Sequence, residues 1–140
     1  MSTIGRPRVA VAYIWITFFV SGTVFIQGFL FGAFYSGRGA DYIQFHGWVG
    51  EDAAFITIVL VVLAFWARFP GKLRIGWWTL GWSVLWNVQA HIFGKGIADV
   101  RWFEMVHIPL AIFLVVSGMY LAQRALSAKR AAAPEEAATD

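Results

Sequence analysis

Three histidines are the only ones in the chain, and each sits among apolar residues: His46 in QFHGWVG, His91 in NVQAHIFG and His107 in EMVHIPLA. Neutral imidazole binds metals through either ring nitrogen and exchanges a proton near neutral pH. An ionisable side chain at membrane depth is costly and marks function by default. Three at about one level point to a metal or haem site. The chain has no cysteine, so thiolate metal sites, disulfides, ordinary iron–sulfur clusters and covalently attached haem are excluded.

The elements that must position these histidines follow from hydropathy. With 59% apolar and 18% aromatic residues over 140 positions, the chain is too apolar for a soluble domain of its size and reads as an integral membrane protein. The expected fold is all-α: an up-down four-helix transmembrane bundle over 10–123. Its spans are predicted at 10–34, 43–67, 75–93 and 102–123, each able to cross about 30 Å of hydrocarbon at roughly 1.5 Å per residue. Residues 1–9 form a short cytoplasmic leader. Residues 124–140, ending AAAPEEAATD, read as a disordered tail.

The net charge of +3 is no nucleic-acid signal, because the cations flank the spans. Arg6, Arg8, Arg68, Lys72, Arg74, Arg124, Lys129 and Arg130 fall on one side, with Arg38, Lys95 and Arg101 on the other. That bias puts both termini in the cytoplasm of a multi-pass inner-membrane protein, with the histidines toward the outer face.

Helix faces refine the site. In the third span Thr79, Ser83, Asn87 and His91 recur every four residues as a polar stripe expected to face the interior. Trp78, Trp82 and Trp86 form a second stripe, facing lipid, a partner subunit or a ring-shaped ligand. Gly50, Ala53 and Thr57 lie on or beside the face of His46, and Ala111 and Gly118 near that of His107, leaving room for a flat group or for close helix packing. Gly28 and Gly32 repeat the small-residue pattern in the first span. Glu51 and Asp52 sit some two turns inside the second span if it starts near Tyr42, or in its first turn if it starts near Gly50. Spans two and four are diagonal in an up-down bundle. His46 and His107 are therefore the first choice of ligand pair for one haem iron, with His91 beside them or replacing one. Arg38, Lys95 and Arg101 are placed to pair with haem propionates.

HGWVG and MVHIPLA resemble the histidine-bearing spans of small membrane b-type cytochromes and of one half of a haem A synthase. They are also similar to a family of uncharacterised four-span bacterial membrane proteins. The resemblance covers residues 10–123 and implies haem b held by His46 and His107. It also implies electron transfer between a quinol or a larger respiratory complex and an acceptor.

Two other readings stand beside it. Glu104 and His107 form Glu-x-x-His, which with His46, His91 and Glu51 offers nitrogen and oxygen ligands to non-haem iron, zinc or copper. Alternatively the chain binds no cofactor and is an accessory subunit, docked through its tryptophans onto a larger membrane complex or a second copy. No nucleophilic triad or phosphate-binding loop is present, so an electron carrier or accessory subunit is a better expectation than an autonomous enzyme.

Overall fold

A computed structural model describes residues 6–70, 72–93 and 102–132. Four helices follow in order: α1 (Pro7–Tyr35), α2 (Asp41–Ala67), α3 (Lys72–Asn87) and α4 (Trp102–Ala132). α3 runs on directly into a π-helical turn, Val88–Phe93. Pro7–Tyr35, Asp41–Ala67 and Met105–Ala132 are long and apolar enough to cross a membrane. α3 is shorter, with sixteen residues in α-helical form. The fold is all-α with the four expected helices, three of which have the length and apolarity of a membrane span among the described residues.

Local signals set the ends. Pro7 opens α1 at a position where its missing N–H costs nothing. α1 closes through paired bonds, Arg38 N–H to the Ala33 carbonyl and Gly37 N–H to Phe34, an arrangement that needs a left-handed residue next to the cap. Gly37 supplies it at φ +80. α2 ends on Arg68, itself left-handed at φ 54, just before Phe69 and Pro70 stop helix continuation.

α1 packs on α2 and α4, and α3 packs on the same two helices, leaving α1–α3 and α2–α4 as the diagonals. The chain runs up and down: Arg6, at the start of α1, lies 5.0 Å over the ring of Trp66 near the end of α2. At the other end of α1 the Gln27 carbonyl meets His46. The interior is built from small and hydroxyl-bearing residues around a few large ones. Tyr13 Oη reaches across to Thr79 Oγ1 at 2.7 Å, and Thr57 meets Ser83 at 2.9 Å. Thr17, Ser21 and Thr79 also donate to the carbonyl four residues back, which satisfies the hydroxyl where no water is available. The outer surface carries the large apolar side chains, Phe25, Phe29, Phe55 and Met105 among them. This inverts the soluble pattern and suits a lipid solvent.

α4 corrects the sequence-based boundary, continuing past 123 to Ala132. The segment expected to be a disordered tail is helical over 124–132 because it still has something to pack against. Ala125 is fully buried, and Leu126 and Ala128 lie on the core cluster. Lys129 and Arg130 sit in the last turn, where cations complement the helix dipole. Residues 133–140 lie outside the described residues.

The close approach of α1, α3 and α4 depends on Gly118. A Cβ there would collide with Ser21 Oγ and the Trp82 ring, whereas one at Gly28 meets nothing within 4 Å. Gly118→Val is expected to destabilise the fold by about 1–3 kcal/mol through overpacking, and Gly28→Ala to leave it unchanged. Unfolding midpoints in mixed detergent check both.

Candidate functional site

The second turn of α2 carries His46, half-buried toward α1. Its Nδ1 lies 3.0 Å from the backbone carbonyl oxygen of Gln27. A carbonyl only accepts, so Nδ1 carries the proton and donates it, leaving the Nε2 lone pair free. Metal-binding histidines use this same arrangement to fix tautomer and ring orientation. Phe31 stands beside the ring at 5.9 Å. One turn along, Gly50 is buried against Gln27, and a Cβ there would come within 3.1 Å of Gln27 Nε2.

His107, half-buried on α4, faces His46 across the α2–α4 diagonal. The ring centroids are 6.0 Å apart and the planes inclined by 48°. A metal–imidazole bond is roughly 2 Å long, so two imidazoles on opposite sides of one metal place their centroids about 6 Å apart once the ring radii are added. The His107 turn is tied to the π-helical turn that continues α3: the buried Gln89 donates from Nε2 to the His107 carbonyl oxygen at 2.9 Å. Pro109 lies two residues on and cannot donate to the α4 ladder, which leaves that turn more dependent on α3.

Four buried polar atoms in this half of the bundle lack a partner among the described residues: Gln27 Nε2, Trp86 Nε1, Gln89 Oε1 and His107 Nδ1. Buried polar groups are nearly always satisfied, and each one left open costs about 1–3 kcal/mol. Gln27, Gln89 and His107 join the histidine pair directly through contacts already described, and Trp86 lies one turn from Gln89 on α3. The elements surrounding the two imidazoles therefore carry unspent donors and acceptors, which fits a site built for a guest with polar groups of its own.

The third histidine lies elsewhere. His91 is exposed and lines a cleft of about 550 Å³ between α2 and α3, with Ile58, Val62, Leu80 and Val84. The stripe does not hold one face: residues four apart on an α-helix step about 40° round at each repeat, and after Asn87 the chain enters the π-helical turn that carries His91 and changes the phase again. Thr79 and Ser83 are buried, Asn87 is half-buried, and His91 has turned outward. The stripe that stays inside alternates by three and four, through Ile75, Thr79, Trp82, Trp86 and Gln89. Two of the tryptophans thus face the interior, where Trp82 Nε1 donates to the Leu114 carbonyl at 2.8 Å, while Trp78 is exposed. Gln89 is the site residue that the histidine pattern passes over, and the tryptophan spacing extended by three residues finds it.

The remaining candidates spread out. Ala111 is half-buried one turn from His107, and Gly28 and Gly32 lie exposed on α1. Arg38 is exposed in the α1–α2 turn. Lys95, Arg101 and the Glu104 side chain lie outside the described residues. α2 begins at Asp41, so Glu51 and Asp52 are well inside it, Glu51 half-buried and Asp52 exposed. Among the described residues no three His, Asp or Glu side chains gather as a metal-binding group.

Comparison with known proteins finds no matching family model, no matching curated protein and no matching solved structure.

The native chain lacks cysteine, so engineered pairs report distance cleanly. α2 and α4 have no Cα atoms within 8 Å of each other, beyond the separation a disulfide spans. His46→Cys/His107→Cys is expected to resist copper-catalysed oxidation yet cross-link with a short bis-methanethiosulfonate, closing the chain into a faster-migrating form on gels.

Proposed function

We propose that the protein is a membrane electron carrier of the b-type cytochrome kind, with one haem held between His46 and His107 near the outer end of the bundle. The observation that carries this reading is the facing of the two imidazoles at 6.0 Å from helices whose Cα atoms stay more than 8 Å apart. The Gln27 carbonyl bonded to His46 Nδ1 supports it by leaving Nε2 as the ligating atom. Haem b, when bound, supplies reversible one-electron transfer, and two histidine ligands leave no open position for oxygen chemistry.

The chain's own residues bind, orient and enclose. His46 is fixed in tautomer by α1. His107 is fixed in height by Gln89, whose unpartnered Oε1 and the unpartnered Nδ1 of His107 are a complementary acceptor and donor on residues already bonded to each other. Gln27 Nε2 and Trp86 Nε1 remain as donors for carboxylate or water at the edge of a guest. Gly50 and Ala111 keep the neighbouring turns low. Arg38 lies on the loop side of the site, the side on which propionates would meet water.

The orientation that goes with this reading puts both termini in the cytoplasm of the inner membrane, following the clustering of cations at one end of the bundle. Electrons would pass between a quinol or a membrane redox complex and an acceptor at the outer face. The non-haem reading rests on Glu104 beside His107, and the Glu104 side chain lies outside the described residues.

The test is the visible spectrum of the detergent-purified protein after expression with ample haem. Oxidised and dithionite-reduced samples should show a Soret band and sharp reduced α and β bands. His46→Ala or His107→Ala should abolish them, and His91→Ala should retain them. A colourless wild-type protein, or full haem retention in both of the first two variants, would overturn the assignment. Gln89→Leu should keep the haem but shift its midpoint potential, because the change acts through the orientation and basicity of His107; redox titration reads it.

A further inference from the structure

The outward face of α2 is mostly apolar, with exposed polar side chains at Gln44 near its start and at Asp52 further along. Phe45, Trp48, Phe55, Val59 and Val62 are all exposed on it. Asp52 lies in the middle of the row and is exposed as well. The spacing along the row alternates three and four residues, which keeps it on one stripe of the helix. Apolar side chains facing outward from a membrane helix need no cover, because lipid is as apolar as they are. A carboxylate in the same row does.

Its depth can be placed from the other end of the helix. Trp66, with the Arg6 guanidinium 5.0 Å over its ring, marks the water–lipid boundary, where aromatic and cationic side chains collect. Asp52 lies about 20 Å further along α2 at the α-helical rise, inside a hydrocarbon layer about 30 Å thick. Lysine or arginine at that depth escapes by extending to the interface. Aspartate has one methylene and does not reach. No hydrogen bond or ion pair engages it among the described residues, and it takes no part in the histidine site.

We infer that this face of α2 is an interface for another membrane protein, whose transmembrane helix lies along the Trp48–Val62 row and presents a basic side chain to Asp52. Charge complementarity selects this occupant over a second copy of the chain. A symmetric pair of α2 helices would bring two Asp52 carboxylates together, and like charges in a low dielectric repel strongly. A partner's lysine, arginine or histidine neutralises the carboxylate and is itself neutralised. Ionisable residues within membrane spans are usually found paired in this way. Trp48 and Phe55, one turn on either side of Asp52, offer the broad aromatic contacts that exclude lipid from such a pair.

The experiment uses the full chain in the membranes of the cell that makes it. A photoreactive benzoyl-phenylalanine is placed at Trp48 or Phe55, with Phe113 on the outward face of α4 as the control. Irradiation should give one discrete protein adduct from 48 and 55 and none from 113. Peptide mapping of the adduct should place the link in a transmembrane segment containing a basic residue. Asp52→Leu should lower the yield roughly tenfold, and Asp52→Glu should restore most of it. Because position 52 is exposed, the Leu variant is expected to fold, and its unfolding midpoint in detergent checks that. An adduct between two copies of the chain would overturn the inference. So would adducts to lipid alone, no adduct at 48 or 55, a partner segment without a basic side chain, or a yield unchanged by Asp52→Leu.

Discussion

A polar group in hydrocarbon has no water to turn to, and the interior of this bundle is organised by that constraint. Each bond between helices joins a side chain to whatever acceptor lies within reach. Tyr13 and Thr79 share hydroxyls across the α1–α3 diagonal, Thr57 and Ser83 do the same between α2 and α3, and Trp82 takes a carbonyl of α4. Toward one end of the bundle these give way to imidazoles and amides. Larger polar groups carry more donors and acceptors than neighbouring helices can match. The unmatched atoms collect there, in the same region as the two facing histidines.

Much of the architecture was legible in the sequence because hydropathy and length report membrane helices directly. Pro70 and the glycines at 37 and 39 marked two of the connections, since proline cannot continue a helix and Gly37 and Gly39 take a positive φ that few residues adopt. The pairing of His46 with His107 was also legible, as diagonal neighbours in an up-down chain. The rotation of α3 was harder to read. A stripe repeating every four residues looks continuous on paper, yet it winds around a 3.6-residue helix and then meets the π-helical turn after Asn87, and Thr79 lies inside while His91 lies outside. Gln89 lies on the buried stripe three residues beyond Trp86, but its partner is a backbone carbonyl on another helix, and spacing announces the face without the bond.

The end of α4 shows a different limit. Alanine, lysine and arginine between 124 and 132 read as a tail by hydropathy, though they are strong helix formers. Tertiary contact decides between the two. Ala125, with no side chain beyond Cβ, packs flat against the core. Composition reports what a segment prefers in isolation, whereas burial depends on what lies next to it.

The bundle is cross-braced unevenly. Side-chain hydrogen bonds join α1 to α2, α1 to α3, α2 to α3 and α3 to α4, whereas none among those described joins α2 to α4. In mechanical terms the cross-section is a frame with one stiff diagonal and one compliant one. His46 and His107 stand at the two ends of the compliant diagonal. Any group gripping both would act as a tie-rod along that diagonal, as the Tyr13–Thr79 bond does along the other.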